Sequence, residues 1–149
     1  MPDADTALKL VALDGEGLEV ISAHIQDSCV APADLTWLPQ QKRFVCGAMR
    51  YDWAAAKLGR HERVFAALRF DRVMKVSHLG LERRDAPRRL LAVRFEKIDA
   101  PSGMVILTFA DGAAIRLDVE CLEGELRDIG PRKPAEACPG HSLTTAEAV

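Results

Sequence analysis

The sequence contains few aromatic residues and lacks the short motifs that mark common enzyme sites. Phe, Trp and Tyr make up 5% of its 149 residues. No Cys-x-x-Cys, His-Glu-x-x-His, Gly-x-Ser-x-Gly or lysine-containing phosphate loop occurs. Local sequence therefore predicts no catalytic residue, no metal site and no cofactor.

Long apolar runs are also missing. The longest uncharged apolar run, Met104–Ala110, is much shorter than the roughly 20 residues that a membrane-spanning helix needs. The acidic start, Met1–Asp5, lacks the basic and apolar regions of a secretory signal. These features predict a cytoplasmic protein with no membrane association, and we expect its cysteines to be reduced there.

The remaining composition is that of a folded domain. Hydrophobic residues make up 48% and charged residues 28% of the chain, which is enough apolar material for one core. Periodic apolar patterns cover residues 8–131. We predict a single domain over this range, with flexible tails at 1–7 and 132–149.

An amphipathic helix is predicted directly after the first strand. Asp14 is a suitable N-cap because its carboxylate can accept from free amides in the first helical turn. Leu18, Ile21 and Ile25 then form an apolar stripe at helical spacing. His24 flanks that stripe, and we interpret it as a helix-edge side chain and not as a metal ligand.

The middle of the chain alternates apolar and polar residues, as antiparallel strands do. Within residues 63–78, Asp71 and Arg72 interrupt the alternation and predict a bulge that divides two strands. A later hairpin is predicted with the three-residue loop 110–112, which places Leu107 opposite Ile115. Gly112 then occupies the loop position that needs a left-handed backbone.

The pattern after this hairpin predicts a second helix. Asp118 is a possible N-cap, Gly130-Pro131 is a typical stop signal, and between them lies an apolar stripe formed by Leu122, Leu126 and Ile129. The predicted class is therefore α+β. We expect a bent antiparallel sheet or partly open barrel of six to eight strands, with one helix after the first strand and a C-terminal capping helix.

Two resemblances accompany this prediction. The order of last strand and capping helix is similar to the C-terminal part of pleckstrin-homology-like barrels, in architecture only. At the sequence level the chain resembles a small bacterial family known only as a domain of unknown function, which implies no activity, cofactor or site residue. The matching stretches are Leu8–Asp27, Asp34–Phe44, Arg50–Trp53, Leu68–Val73 and Leu107–Pro131.

Charge is strongly segregated along the chain. Residues 1–41 contain seven acidic residues and one lysine, residues 42–94 contain fourteen basic and five acidic residues, and residues 95–149 contain five basic and ten acidic residues. Three interpretations are open: the charges pair within one molecule, they pair between molecules, or the basic segment binds an anion.

The function predicted from these patterns is a non-enzymatic binding or interaction module that self-associates or binds a protein partner. The alternative is a binder of an anionic ligand, either RNA or a phosphorylated molecule, through the arginine-rich segment 42–94. Its candidate site residues are Arg83, Arg84, Arg88, Arg89, Arg50, Arg63 and Arg69. A further alternative is an enzyme whose site is formed by distant groups, for which the candidates are Asp52, Asp71, His61 and His78.

Overall fold

Strands dominate the computed structural model, which describes residues 7–81 and 86–135. Strands hold 63% of these residues. The eight strands are β1 Lys9–Ala12, β2 Ser28–Val30, β3 Leu35–Leu38, β4 Arg43–Tyr51, β5 Glu62–Leu79, β6 Arg88–Asp99, β7 Ser102–Phe109 and β8 Ala114–Pro134. The α-helices within this part of the chain are α1 Gly15–Ile25 and α2 Trp53–Ala56.

The strands form one antiparallel sheet that closes on itself. Its order is β1-β8-β5-β4-β2-β6-β7, and β3 pairs with β4 beside this path. Because β7 also pairs with β8, the path returns to an earlier strand and makes a ring. Strand β8 is long enough to pair with β1, β5 and β7 at once.

Helix α1 covers part of the core inside this ring, as the sequence predicts. The Asp14 carboxylate accepts a 2.8 Å hydrogen bond from the Gly17 amide. Leu18, Ile21 and Ile25 are fully buried in the core cluster. The predicted helix after the first strand is therefore present, and its apolar stripe holds it against the sheet.

The predicted hairpin between β7 and β8 is confirmed in register. Leu107 lies opposite Ile115 and Val105 lies opposite Leu117. Gly112 has a φ of +91°, which is the left-handed conformation expected at the end of the three-residue loop.

The bulge predicted at Asp71 and Arg72 is also confirmed. Arg72 has a φ of +62°, and the pairing of β5 with β8 shifts register between Asp71 and Val73. The bulge does not divide the segment, however, because β5 continues from Glu62 to Leu79 as one strand. The partner strand β8 spans the same distance and holds both halves of β5 together.

The predicted α+β class and the C-terminal capping helix are wrong. Residues 118–130 lie within β8, and the described part of the chain is mostly β. Leu122 and Leu126 are buried there because positions four residues apart share one face of a strand as well as one face of a helix. The likeness to pleckstrin-homology-like barrels depended on this helix and loses its basis. Strand β8 extends past the predicted domain end at 131 to Pro134.

The cysteines do not all match the expectation of reduced thiols. Cys46 and Cys121 are free, and burial raises the pKa of Cys46 to about 12, so its thiol stays protonated. Cys29 is disulfide-bonded, so the expectation is wrong for this residue. Within the described residues, no helix is long and apolar enough to cross a membrane.

Candidate functional site

A cavity of about 290 Å³ lies between α1, α2 and the ends of β4 and β8. We call it the Arg50 cavity. Its charged and polar lining residues are His24, Arg50, Asp52, Arg60 and Arg132. Its apolar lining residues are Ala7, Leu8, Ala54, Ala55 and Leu58.

The strand registers explain why opposite charges meet in this region. On β4, Ala48 and Arg50 are both buried, because alternate residues of a strand share one face. Arg50 lies opposite Val64 of β5, and the neighbouring Ala66 lies opposite Asp128 of β8. Val64 and Ala66 are both buried on β5, so Arg50 and Asp128 lie at adjacent levels of the same face, and their side chains meet although they are 78 positions apart in the sequence.

Arg50 and Asp128 form a buried, bidentate ion pair. Arg50 Nε donates to Asp128 Oδ1 at 2.8 Å, and Arg50 Nη2 donates to Oδ2 at 2.9 Å. The two side chains are only 2% and 4% exposed. The Leu8 amide also donates to Asp128 Oδ2, at 3.0 Å. The remaining guanidinium nitrogen, Arg50 Nη1, is buried without a hydrogen-bond partner.

Asp52 connects the cavity to α2 and to β8. Its Oδ1 accepts from the Ala55 amide at 2.9 Å and so caps α2, while its Oδ2 accepts from Arg132 Nη1. Burial by itself would raise the pKa of Asp52, but the Ala55 amide and the Arg132 guanidinium outweigh it and lower that pKa. Asp52 is therefore a firmly ionised group that orients Arg132.

His24 contributes a neutral ring to the cavity wall. Burial is the main cause that lowers the pKa of His24, and the charge of Arg50 lowers it further. Asp52 and Asp128 act in the opposite direction but do not offset these effects. The imidazole is therefore uncharged near neutral pH.

The structure distributes the predicted anion-binding arginines over several places. Of the five that lie within the described residues, only Arg50 lines the Arg50 cavity. Arg88 is buried, and it donates to Asp111 at 3.0 Å and to the Gly80 carbonyl at 2.9 Å. Arg89 donates to Asp27 at 2.9 Å. Arg83 and Arg84 lie outside the described residues.

The other two predicted arginines also have partners within the chain. Arg63 donates to the Met49 carbonyl at 2.9 Å and its guanidinium lies 5.8 Å from the centre of the Tyr51 ring. Arg69 lies 3.1 Å from a Glu125 oxygen on the outer face of the sheet. These contacts favour the interpretation in which the segregated charges pair within one molecule, and binding of an external anion by these arginines stays a prediction.

The candidates for a convergent enzyme site occupy separate positions. Asp52 lines the Arg50 cavity, and Asp71 pairs with Arg43 at 2.8 Å. His61 Nδ1 lies 2.5 Å from the Tyr51 hydroxyl. His78 lines a second cavity, of about 350 Å³, whose other lining residues are all apolar. Residues 7–81 and 86–135 also contain no cluster of three or more potential metal ligands.

Sequence reasoning missed four charged or polar residues of the Arg50 cavity and its walls, and the first, Arg60, has no signal beyond the general excess of basic residues in segment 42–94. His24 was interpreted only as a helix-edge side chain. Asp128 was assigned to a helix and Arg132 to a flexible tail, although both lie in β8. The signal that could have found Asp128 is the alternation of Leu122, Gly124 and Leu126 with charged residues, which has the period of a strand and continues to Asp128.

Comparisons with known proteins identify a family and nothing more specific. No curated protein and no solved structure matches the chain. A family model described as "Protein of unknown function (DUF2948)" matches residues 8–141, which is most of the sequence. The chain therefore belongs to this family of proteins of unknown function.

Proposed function

We propose that the protein is a non-enzymatic binding module that holds a small anionic molecule in the Arg50 cavity. The observation that carries the proposal is the charged lining of the cavity, in which three arginines, Arg50, Arg60 and Arg132, accompany a single carboxylate, Asp52. A bound anion would accept charge-assisted hydrogen bonds from guanidinium groups of this lining.

The surroundings of Arg50 support an anion and not a cation. Both carboxylate oxygens of Asp128 already accept hydrogen bonds from Arg50, and Oδ2 also accepts one from the Leu8 amide. The two carboxylate oxygens of Asp52 accept hydrogen bonds from the Ala55 amide and from Arg132. Both carboxylates are therefore engaged, whereas the exposed Arg60 adds a positive charge at the cavity wall. Of the charged groups at the cavity, the arginines are therefore the ones that can bind a ligand.

Nuclear magnetic resonance titration of the full chain tests the proposal. Acetate, butyrate and inorganic phosphate serve as probes, and the amide signals of Ala54, Ala55 and Leu58 report on the cavity. We expect at least one probe to shift these signals in a saturable way. No saturable shift with any of the three probes would contradict the proposal.

Two matched double variants locate the binding. Arg50→Met with Asp128→Leu removes the donor and its partner together, which avoids an unpaired buried charge. Arg43→Met with Asp71→Leu makes the same exchange at an ion pair of equal length on the outer face. Binding should disappear only in the first variant. If both variants bind equally well, the anion binds elsewhere.

Binding to RNA is the competing outcome. The sequence places fourteen basic residues in segment 42–94, although the structure pairs several of its arginines with carboxylates of the same chain. A labelled single strand that binds with steep salt dependence, and binds the Arg50→Met/Asp128→Leu variant equally well, would support the arginine-rich surface. That result would overturn the assignment of the site to the cavity.

Self-association is a second proposal, and it is favoured by two exposed apolar side chains, one on β1 and one directly after it. Val11 and the following Leu13 are 58% and 69% exposed at positions two residues apart. Sedimentation at low and high salt tests this proposal, since an apolar contact should persist when salt screens charges. A monomer at every salt concentration would contradict it. The cytoplasmic location predicted from the sequence stays a prediction.

A further inference from the structure

We propose that a second cavity of the protein binds a small, neutral aromatic molecule. This cavity has a volume of about 350 Å³, and we call it the Trp37 cavity. Within residues 7–81 and 86–135 its lining consists of His78 and six apolar residues: Leu35, Trp37, Phe44, Val76, Leu81 and Ile115. The proposal goes beyond the function proposed above and does not depend on it.

Strand β4 passes from one cavity to the other and shows that they are separate. Phe44 lines the Trp37 cavity, and Arg50 lines the Arg50 cavity. Six residues of a strand span about 20 Å. Between these two positions, the inward-facing Cys46 and Ala48 are fully buried in the core. A small ligand in one cavity therefore does not reach the lining of the other.

The strand registers place the lining of the Trp37 cavity on the inner face of the sheet. Trp37 of β3 lies directly opposite Phe44 of β4, which is buried. His78 of β5 lies directly opposite Ile115 of β8, which is also buried. Val76 shares the face of His78, because it lies two residues before it on the same strand. Two pairs of strands therefore supply the lining from the inside of the ring.

The Trp37 cavity contains apolar surface that is still accessible to water. Leu35, Trp37, Val76 and Leu81 pack against the core but are only partly buried. Protein interiors are close-packed and contain few voids larger than a water molecule, whereas about 350 Å³ lies within the range of small-molecule pockets. A ligand that covers these four side chains removes apolar surface from water, which favours binding.

The chemistry of the lining favours a ligand without charge. In the part of the chain that the structure describes, no lysine, arginine, aspartate or glutamate lines this cavity. A charged group that enters it would lose hydration without gaining an ionic partner. His78 is polar but exposed, so it lies where the cavity meets water. The Trp37 cavity therefore selects for the opposite property to that selected by the arginines of the Arg50 cavity.

Trp37 and Phe44 favour an aromatic ligand over an aliphatic one. Both line the cavity from directly paired positions of β3 and β4. Aromatic rings in contact attract each other beyond the burial of their area, because the positive edge of one ring meets the negative face of the other. This attraction corresponds to about a twofold to tenfold change in Kd.

Nuclear magnetic resonance titration of the full chain with 4-methylphenol tests the proposal and has an internal control. The sequence contains two tryptophans. Trp37 lines the cavity, whereas the indole of Trp53 donates to the Gln26 carbonyl at 3.1 Å. The indole signal that disappears in the Trp53→Phe variant identifies Trp53. We expect 4-methylphenol to shift the Trp37 indole signal in a saturable way and to leave that of Trp53 unchanged. No saturable shift of the Trp37 signal would overturn the proposal.

Two matched ligands test the chemical class. 4-Methylcyclohexanol lacks the aromatic ring, and 4-methylbenzoate carries a negative charge, whereas 4-methylphenol is neutral near pH 7. We expect the first to bind at least about twofold more weakly than 4-methylphenol, and the second at least about tenfold more weakly. Equal binding of 4-methylcyclohexanol would show that the aromatic class is wrong. Equal binding of 4-methylbenzoate would show that the ligand need not be neutral and would overturn the proposal.

Two valine substitutions locate the binding. Val76→Phe places a larger side chain in the cavity, and Val20→Phe makes the same exchange on α1, where Val20 is 50% exposed. Binding of 4-methylphenol should weaken at least about tenfold only in Val76→Phe. Unchanged binding in this variant would overturn the proposal. If Val76→Phe fails to fold, Leu35→Phe fills the cavity from β3 and must give the same loss.

Discussion

Two ion pairs of this protein have the same length and very different surroundings. Arg50 Nε lies 2.8 Å from Asp128, and Arg43 Nε lies 2.8 Å from Asp71. The first pair is 2% and 4% exposed, whereas the second is 39% and 24% exposed. Distance therefore does not distinguish the two pairs, but contact with water does.

Burial makes the Arg50–Asp128 pair costly to break. Both ions have lost their hydration, so the removal of one leaves the other without water and without a partner. At the Arg43–Asp71 pair, water replaces a lost partner, and Arg69 offers Asp71 a second cation at 3.2 Å. At the buried pair, each hydrogen-bond donor needs an acceptor from the protein, and Arg50 Nη1 has none. At the exposed pair, water supplies the acceptor.

The largest expected effect comes from the removal of one buried partner. Asp128→Ala should lower the free energy of unfolding by about 3–5 kcal/mol, because it leaves the charge of Arg50 buried without its partner. Urea denaturation measures this change. A loss below about 1 kcal/mol would mean that water reaches the pair and that the comparison with the outer face fails.

A smaller effect is expected when both buried partners are replaced. The Arg50→Met/Asp128→Leu variant should unfold within about 2 kcal/mol of the wild type, since no charge is left unpaired and only the Leu8 amide loses its acceptor. The same urea experiment checks it. A double variant that is no more stable than Asp128→Ala would contradict this explanation.

A still smaller, pH-dependent effect is expected at His24. Its folded pKa is lowered by burial and by Arg50, so the unfolded chain binds the proton more readily. The stability that the neutral ring contributes is present above the unfolded pKa of about 6.5 and decreases as the pH falls below it. His24→Gln should make the free energy of unfolding less steep over this window, as urea denaturation at several pH values would measure. An unchanged slope would show that His24 is accessible to water.

The smallest effect is expected at the outer face. Asp71→Ala should change the free energy of unfolding by about 1 kcal/mol or less, and by even less in about 1 M salt, because the pair is exposed and screened. Urea denaturation at two salt concentrations measures both values. A salt-independent loss as large as that of Asp128→Ala would remove the difference between the two pairs.

Local signals predicted the elements whose folding depends on near neighbours. The Asp14 cap and the Gly112 loop each act within a few residues, so helix α1 and the last hairpin could be predicted. The Asp71–Arg72 bulge could also be located, because a break in alternation is visible in the sequence itself.

Elements that depend on distant partners could not be predicted in the same way. Leu122 and Leu126 fit a helix or a strand, and pairing of β8 with β1 and β5 decides for the strand. The site has the same limitation: Arg50 was among the candidates, but its partner Asp128 is 78 positions away. The sequence revealed the segregation of charge, whereas the registers of β4, β5 and β8 determine which charges meet.

Strand β8 also has a consequence for how the molecule is made. It is 21 residues long, and it supplies a pairing partner to β1, β5 and β7. In a nascent chain on the ribosome, the edges of those three strands that pair with β8 stay unpaired until β8 has left the exit tunnel. The ring therefore cannot close before β8 itself has been made, and until then a chaperone or a neighbouring nascent chain can bind the open edges.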